Sequence, residues 1–473
     1  MQTGTNTMTE FGPSPLYGIF PPTRGPANLL KYGRKTVKVV ATKSFGKTNY
    51  ILNQELEFGK AVLRRLIPEY TDISEKEVVM GNEYLAPLNK DSSNGLGCEK
   101  GKDKYVNFEV GEYTPLLKDD LALFRSKVET GVYPVEALLW SECLKDELRN
   151  DEKDGVPRSF RISTVHNQVL CKEKFGDMVA KIMAHRYENG VMIGVNPFKE
   201  WDKVYSVLKT CRGCFSADTK LWDGGMLPQV QRAVVDVILE KYTGPEKEIC
   251  EVLLESLVHT ILMIMDEGFI TTHSFPSGHY LTAIMNSLVN RFYTACWYFR
   301  VMSHAKRSFT VSSFLDDVVD FVYGDDKLNG IRSHSDILNA ISMREFFRSI
   351  GLDLTNADKS EIKTPFNVLD DLDFLKRKFV YHNDLGRIMC PLSLRTLQSG
   401  LSYVNLSKDV DQVMRDKVHN YVREIYLHPN YKDLRLDFEH RLAFRGFDCE
   451  LPSDAYLYQL YASGDLSYDM LYM

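Results

Sequence analysis

The 473-residue chain has no long hydrophobic run, no excess of basic charge and no cysteine framework. Its most apolar helical stretch, VLLESLVHTILMIM from Val252, is broken by Glu255 and His259 and falls short of the ~20 residues a bilayer span needs. We read it as a core helix. The first residues lack both a basic start and an apolar segment of signal-peptide length, which argues against secretion. The nine cysteines are odd in number and scattered, as expected of reduced thiols in a cytosolic compartment. Cys211 and Cys214 form a lone C-x-x-C with no second pair nearby, so a buried strand cysteine is expected rather than zinc. A net charge of −6 and a pI near 6.1 do not support a broad basic surface; any polyanion must be held locally. Internal repeats and low-complexity tracts are missing too.

What is present suits a large globular α+β protein of more than one subdomain, with 44% hydrophobic and 26% charged residues. Pro13, Pro15, Pro21, Pro22 and Pro26 remove backbone donors, so residues 11–26 should form an extended arm, either disordered or draped over another subdomain. Apolar spacing at Leu56, Val62, Leu63, Leu66 and Ile67 predicts a helix over 53–70, and residues 90–104 read as a polar, glycine-rich loop. Further helices are expected over 227–242 (closing at Gly244), 279–299, 335–350 and most of 409–473. Between Phe314 and Ile331 short β-rich runs flank Gly324-Asp325-Asp326, which predicts a hairpin.

That hairpin, FVYGDDKLNG, sets two like charges side by side. Gly-Asp-Asp is ordinary turn chemistry; equally, a divalent cation would relieve the repulsion of Asp325 and Asp326 and use it. Upstream, CRGCFSADTKLWDGG reads as a buried strand delivering Asp218 at its end, with Asp223 before the next helix. Two-metal phosphoryl transfer needs carboxylates from separate elements to hold cations roughly 3.5–4 Å apart. Asp218 and Asp325 could bridge them, while Asp316, Asp317 and Asp320 read as solvated charges. In HSFPSGHYLTAIMNSLVNR, Ser277 and Gly278 make a turn before a helix that places Thr282 and Asn286 on one face. This is either capping plus a polar stripe or, with Asp223, a set that reads a ribose hydroxyl. Lys145, Arg149, Lys153, Arg158 and Arg161 form either a solvated face or a cationic roof for phosphates.

Together these motifs resemble the RNA-dependent RNA polymerases of picornavirus-like (Picornavirales) positive-strand RNA viruses. Asp218 and Asp223 match the family's D-x4-D, Ser277, Gly278, Thr282 and Asn286 its S-G-x3-T-x3-N, and Tyr323 to Asp326 its Y-G-D-D. KDELR followed by RSFRI resembles the basic fingers motif, ADKS carries the family's lysine at Lys359, and FLKR resembles the primer grip with Lys376 and Arg377. SSNGLG, with Ser93 and Gly95, is a weaker match to the loop that admits template. The resemblance implies a right hand: fingers over 1–177 and 257–274, palm over 178–256 and 275–380, and a mostly helical thumb over 381–473, closed by the N-terminal arm. It implies two Mg2+ ions, replaceable by Mn2+, on Asp218, Asp325 and Asp326, and a triphosphate held by Arg149, Lys153, Arg158 and Arg161. Lys359 would be the general acid, Asp223, Ser277, Thr282 and Asn286 the ribose readers, and Ser93, Gly95, Gly278, Lys376 and Arg377 RNA contacts. Partners would be template and product RNA, ribonucleoside triphosphates, a small genome-linked protein primer and other viral replication proteins, without a membrane span. The setting would be host cytoplasm at membrane-associated complexes. Members typically begin at a glycine freed by proteolysis; this chain begins Met1-Gln2-Thr3-Gly4, so no role for the terminal amine carries over. A reverse transcriptase, or a non-catalytic RNA-binding scaffold, are the rival readings.

Overall fold

Proline sets the course of the N-terminal stretch, because each ring holds φ at about −65° and donates no hydrogen bond. In the computed structural model, which describes residues 7–43, 49–150, 155–220 and 222–463, the arm forms short edge pairings. Phe11–Pro13 pairs antiparallel with Tyr403–Asn405, and Arg24–Pro26 with Leu148–Asn150. Between them Leu16, Ile19 and Phe20 are buried among C-terminal residues, Phe20 lying 5.8 Å from the Tyr421 ring and stacked on Phe438 at 6.2 Å. Of the two states expected for the arm, the draped one is observed.

A central antiparallel sheet runs in the order Val318–Tyr323, Asp326–Ile331, Gly213–Lys220, Asp353–Asn356. Strand alternation sends Phe215, Ala217, Val318, Val322 and Ile331 into one core and Cys214, Val319, Phe321 and Leu328 into another. Both faces are therefore covered. Against the first lies the helix Thr282–His304, buried at every residue from Ile284 to Tyr298. Against the second lie Pro197–Lys209 and the C-terminal helices Val410–Ile425, Tyr431–Arg445 and Asp454–Ser463. The expected helical tail holds to Ser463; its last residues, 464–473, lie outside the described ones.

The apolar stretch from Val252 is not one helix. Gly244–Val258 is helical, but Ile261–Ile264 is a strand that pairs antiparallel with Glu267–Ile270 and parallel with Leu139–Lys145, whose other neighbour is Arg158–Ser163. A short apolar run fits either period, and here burial alternates, with Leu262 and Ile264 inward. Other boundaries move as well. Gly244 opens a helix instead of closing one, because Pro228–Leu239 has already ended. Phe314 belongs to the helix Val311–Asp317, capped by Thr310, not to the hairpin. The helix expected from Ser335 starts at Ala340, where Asn339 accepts the N–H groups of Ile341 and Ser342 at 3.1 Å each.

Candidate active site

Gly324 and Asp325 alone join the two hairpin strands, since Tyr323 pairs directly with Asp326. Gly324 supplies the left-handed φ of 64° that such a turn requires. In the neighbouring pairing Lys327 faces Ala217 and Leu328 faces Ser216. One further step in that register sets Asp326 opposite Asp218, both on the sheet face away from the long helix. The helix holds the turn from behind. Gly324 N–H donates to Ser287 Oγ at 2.8 Å, and Asn290 Nδ2 donates to the carbonyls of Gly324 and Asp325 at 3.0 and 3.3 Å.

Beneath the turn, Asp320 corrects the expectation of a solvated charge. It is 2% exposed and paired with Arg291 at 3.0 Å and Lys327 at 3.3 Å, while Asn329 Nδ2 donates to it at 2.8 Å. Burial alone would raise its proton affinity; Lys327 and then Arg291 hold its carboxyl below the usual range. Asp317 is also buried and accepts the Tyr298 hydroxyl at 2.7 Å. Of the three, Asp316 alone is exposed.

Enclosure in the cleft, followed by the charges of Asp325 and Asp218, pushes the Asp326 carboxyl up to about 7. Asp325 is raised by enclosure and by Asp218. Asp223, at the rim, is raised to about 6 by enclosure and then by Asp325. These are carboxylates that crowd one another, the condition a bound cation relieves. Among the described residues no three acidic, histidine or cysteine side chains are already gathered in ligating geometry. The Lys359 ammonium contacts Asp218 Oδ2 instead. Hard oxygen donors on adjoining strands nevertheless fit Mg2+ or Mn2+ in their chemistry.

Next to the acids, the Ser277 carbonyl accepts the Arg161 N–H at 2.9 Å, tying the loop before the long helix to the strand Arg158–Ser163. Gly278, at φ 99°, packs over the Arg161 carbonyl, 3.3 Å from where a Cβ would sit. Asn286 is 8% exposed, and its Oδ1 is buried without a partner. Thr282 is used differently from Asn286: its hydroxyl donates to the Pro276 carbonyl at 2.5 Å and accepts His279 N–H at 3.2 Å, holding the loop. Arg161 is buried and pairs with Glu142 at 3.2 Å, which leaves Nη1 buried and unbonded.

A family profile described as "Viral RNA-dependent RNA polymerase" matches residues 31–429. The chain belongs to that family. The Replicase polyprotein of Drosophila C virus is 25% identical over 466 residues, covering 88% of this chain and 26% of the polyprotein. The RNA1 polyprotein of cowpea mosaic virus is 25% identical over 76% of this chain and 20% of its own length. The chain therefore spans about a quarter or less of these two relatives. A solved structure titled "Sicinivirus 3Dpol RNA dependent RNA polymerase" superposes with a TM-score of 0.82 over 98% of both chains at 19% identity. The α+β polymerase fold expected from the motifs is thus the observed one.

Within this polymerase fold the remaining expectations divide. Arg158 pairs with Glu147 at 2.7 Å, and Arg149 spends its guanidinium on the Val156 carbonyl at 2.9 Å and on Glu147 at 3.3 Å. Glu147 thus neutralises much of the expected cationic roof; Lys153 lies outside the described residues. Arg377 is corrected outright. It is fully buried, forked onto Glu424 at 2.8 and 3.1 Å and bonded to the Cys390 carbonyl at 2.6 Å, so it cannot reach RNA. Its neighbour Lys376 is exposed and lines a cleft of about 1200 Å³ together with Asp325, Asp326, Lys199 and Arg24. Ser93 is exposed, and Gly95 lies against the carbonyl of Ser163.

Sequence reasoning missed Glu142, Glu147, Ser287 and Asn290. For Asn290 a signal existed: it continues the Thr282, Asn286 spacing by one more helical turn. For the two glutamates none did, since acids interspersed with bases look the same whether paired or solvated.

Proposed function

We propose that the chain catalyses template-directed RNA synthesis, with a primer 3′-hydroxyl attacking the α-phosphate of a ribonucleoside triphosphate. The observation that carries this is the register that brings Asp326 opposite Asp218 with Asp325 at the adjoining turn. Asp218, Asp325 and Asp326 would hold two Mg2+ ions, or Mn2+; when bound, such ions lower the proton affinity of the attacking hydroxyl and neutralise charge on the leaving group. Arg161, through the free Nη1, and Arg158 would engage the triphosphate. Asn286 and Asp223 would read the ribose, with Ser277 beside them and Thr282 fixing the loop. Lys359 would donate a proton to the departing pyrophosphate. Ser93, Gly95, Gly278 and Lys376 would flank the RNA.

The boundaries proposed are fingers at 1–177 and 257–274, palm at 178–256 and 275–380, and thumb from 381. The return of Ile261–Ile270 to the sheet of Leu139–Lys145 supports the fingers insertion. A genome-linked protein primer and other viral replication proteins are proposed partners, in host cytoplasm at membrane-associated complexes. No helix among the described residues is long and apolar enough to cross a membrane, so attachment would come through those partners. The test is incorporation by the full chain with Mg2+ on a homopolymer RNA template, with an RNA primer, a peptide primer or none. Primed ribonucleotide incorporation well above that of 2′-deoxynucleotides is expected. Absence of templated synthesis, or preference for deoxynucleotides, would overturn the reading.

A further inference from the structure

The lone C-x-x-C lies where the helix Pro197–Lys209 gives way to the strand Gly213–Lys220, and its two members differ in exposure: Cys211 is partly exposed and Cys214 is buried. Cys214 stands four residues before Asp218, about 13 Å away along the strand. Both sulfurs meet the same helix end. Cys211 Sγ lies 3.8 Å from the Val207 carbonyl oxygen, and Cys214 Sγ 3.5 Å from that of Leu208, the next residue. Across the sheet Cys214 pairs with Gly330. A Cβ at Gly330 would sit 2.5 Å from Cys211 Sγ and 3.2 Å from its Cβ, so glycine in that strand is what leaves room for the first sulfur. A hydrogen bond from the Cys214 thiol, helped by the Arg332 guanidinium, outweighs burial and holds the Cys211 thiol below its ordinary range; Cys211 and then burial push the Cys214 thiol up. The other partly exposed cysteines, Cys98, Cys143 and Cys449, are all raised, by burial first. A reachable thiolate with a protonated thiol beside it is the arrangement of an attacking and a resolving cysteine.

We propose that Cys211 and Cys214 form a modification site for low-molecular-weight disulfides, Cys211 attacking and Cys214 resolving, which closes into a reversible bridge. The Cys211 thiolate attacks one sulfur of the disulfide RSSR; the Cys211–SR bond forms and RS− leaves. Cys214 then attacks the Cys211 sulfur and its proton passes to solvent; the Cys211–Cys214 bond forms and the second RS− departs. Two cysteine thiols are thereby oxidised by two electrons, and one RSSR is reduced to two thiols. Excess small thiol runs both steps backwards, so in a reducing compartment the bridge is transient.

The test incubates the full chain with oxidised glutathione at pH 7, quenches in acid and maps the peptides. The wild type should carry a Cys211–Cys214 bridge without retained glutathione, and reduced glutathione should remove it. Cys214→Ser should keep a glutathionyl group on Cys211, whereas Cys211→Ser should leave Cys214 unmodified. Limited labelling of the untreated wild type with iodoacetamide should mark Cys211 about fivefold or more faster than Cys98, Cys143 or Cys449, because more of it is thiolate. Labelling at Cys211 no faster than at those three would overturn its attacking role. Glutathione retained on wild-type Cys211 without a bridge would overturn the resolving role of Cys214, and no modification of either cysteine would overturn the site. Should a variant fail to fold, the wild-type bridge and the labelling order decide alone.

Discussion

Asp326 shows how far one side chain depends on its neighbours. Its carboxyl moves from an ordinary 3.8 to about 7, through enclosure first and then through Asp325 and Asp218. A carboxyl with higher proton affinity in the folded chain makes that state bind more protons between the two values, so its contribution to stability falls as pH rises from about 4 towards 7. A divalent ion competes for the same oxygens and favours their ionised form. The melting-temperature gain from added Mg2+ should therefore grow between pH 6 and pH 8; a gain independent of pH would contradict the assignment. Arg377 makes the complementary case. Because Glu424 would be left buried without its partner, Arg377→Ala should cost about 3–5 kcal/mol in denaturant unfolding. Any surviving folded protein should bind RNA with unchanged salt dependence. The sequence FLKR could not show this, since Glu424 lies on a helix far along the chain and nothing local marks the arginine as buried.

Elements with one strong period were the legible ones. The Gly-Asp-Asp hairpin, the helix at 282–304 and the proline arm each carry a pattern that a single burial geometry explains. The run from Val252 did not, because its apolar residues fit a helix up to Val258 and a strand from Ile261, and only pairing with Leu139–Lys145 decides between them. Likewise Asp218, Asp325 and Asp326 were found from turn and strand-end chemistry, whereas Glu142 and Glu147 needed the fold to show which arginines they meet. The loop at 93–97 permits a test at this scale. Gly95 has φ 86°, and a Cβ there would sit 2.4 Å from the Ser163 carbonyl. Gly95→Ala must therefore push the loop off the strand that carries Arg161. A lower melting temperature and a raised KM for all four nucleoside triphosphates are expected; an unchanged KM would show that the loop and the strand are independent.

At the scale of the molecule, the arm links Leu148–Asn150 to Tyr403–Asn405 by two strand pairings and packs the buried Leu16, Ile19 and Phe20 among the C-terminal helices. Deleting residues 1–20 removes one pairing and all three anchors. The melting temperature should fall by roughly 4 °C or more, given how a few kcal/mol scale in a chain of this size. RNA should dissociate faster, while addition of a single nucleotide persists; dissociation at the wild-type rate would deny the arm a closing role. The cleft lined by Arg24 of the arm also carries Asp325 and Asp326 of the central sheet, and there the account is most exposed. Asp325→Asn preserves the turn and its bonds to Asn290, which use the backbone carbonyl. The most direct measurement is primed extension on a homopolymer RNA template by Asp325→Asn beside the wild type, with melting temperatures recorded for both. The account predicts a loss of roughly 10³-fold or more in rate at unchanged stability, with Asp218→Asn alike and the double variant little worse, because residues acting as a unit are not additive. Extension by Asp325→Asn at near the wild-type rate would contradict it, and would leave the two aspartates as turn chemistry alone.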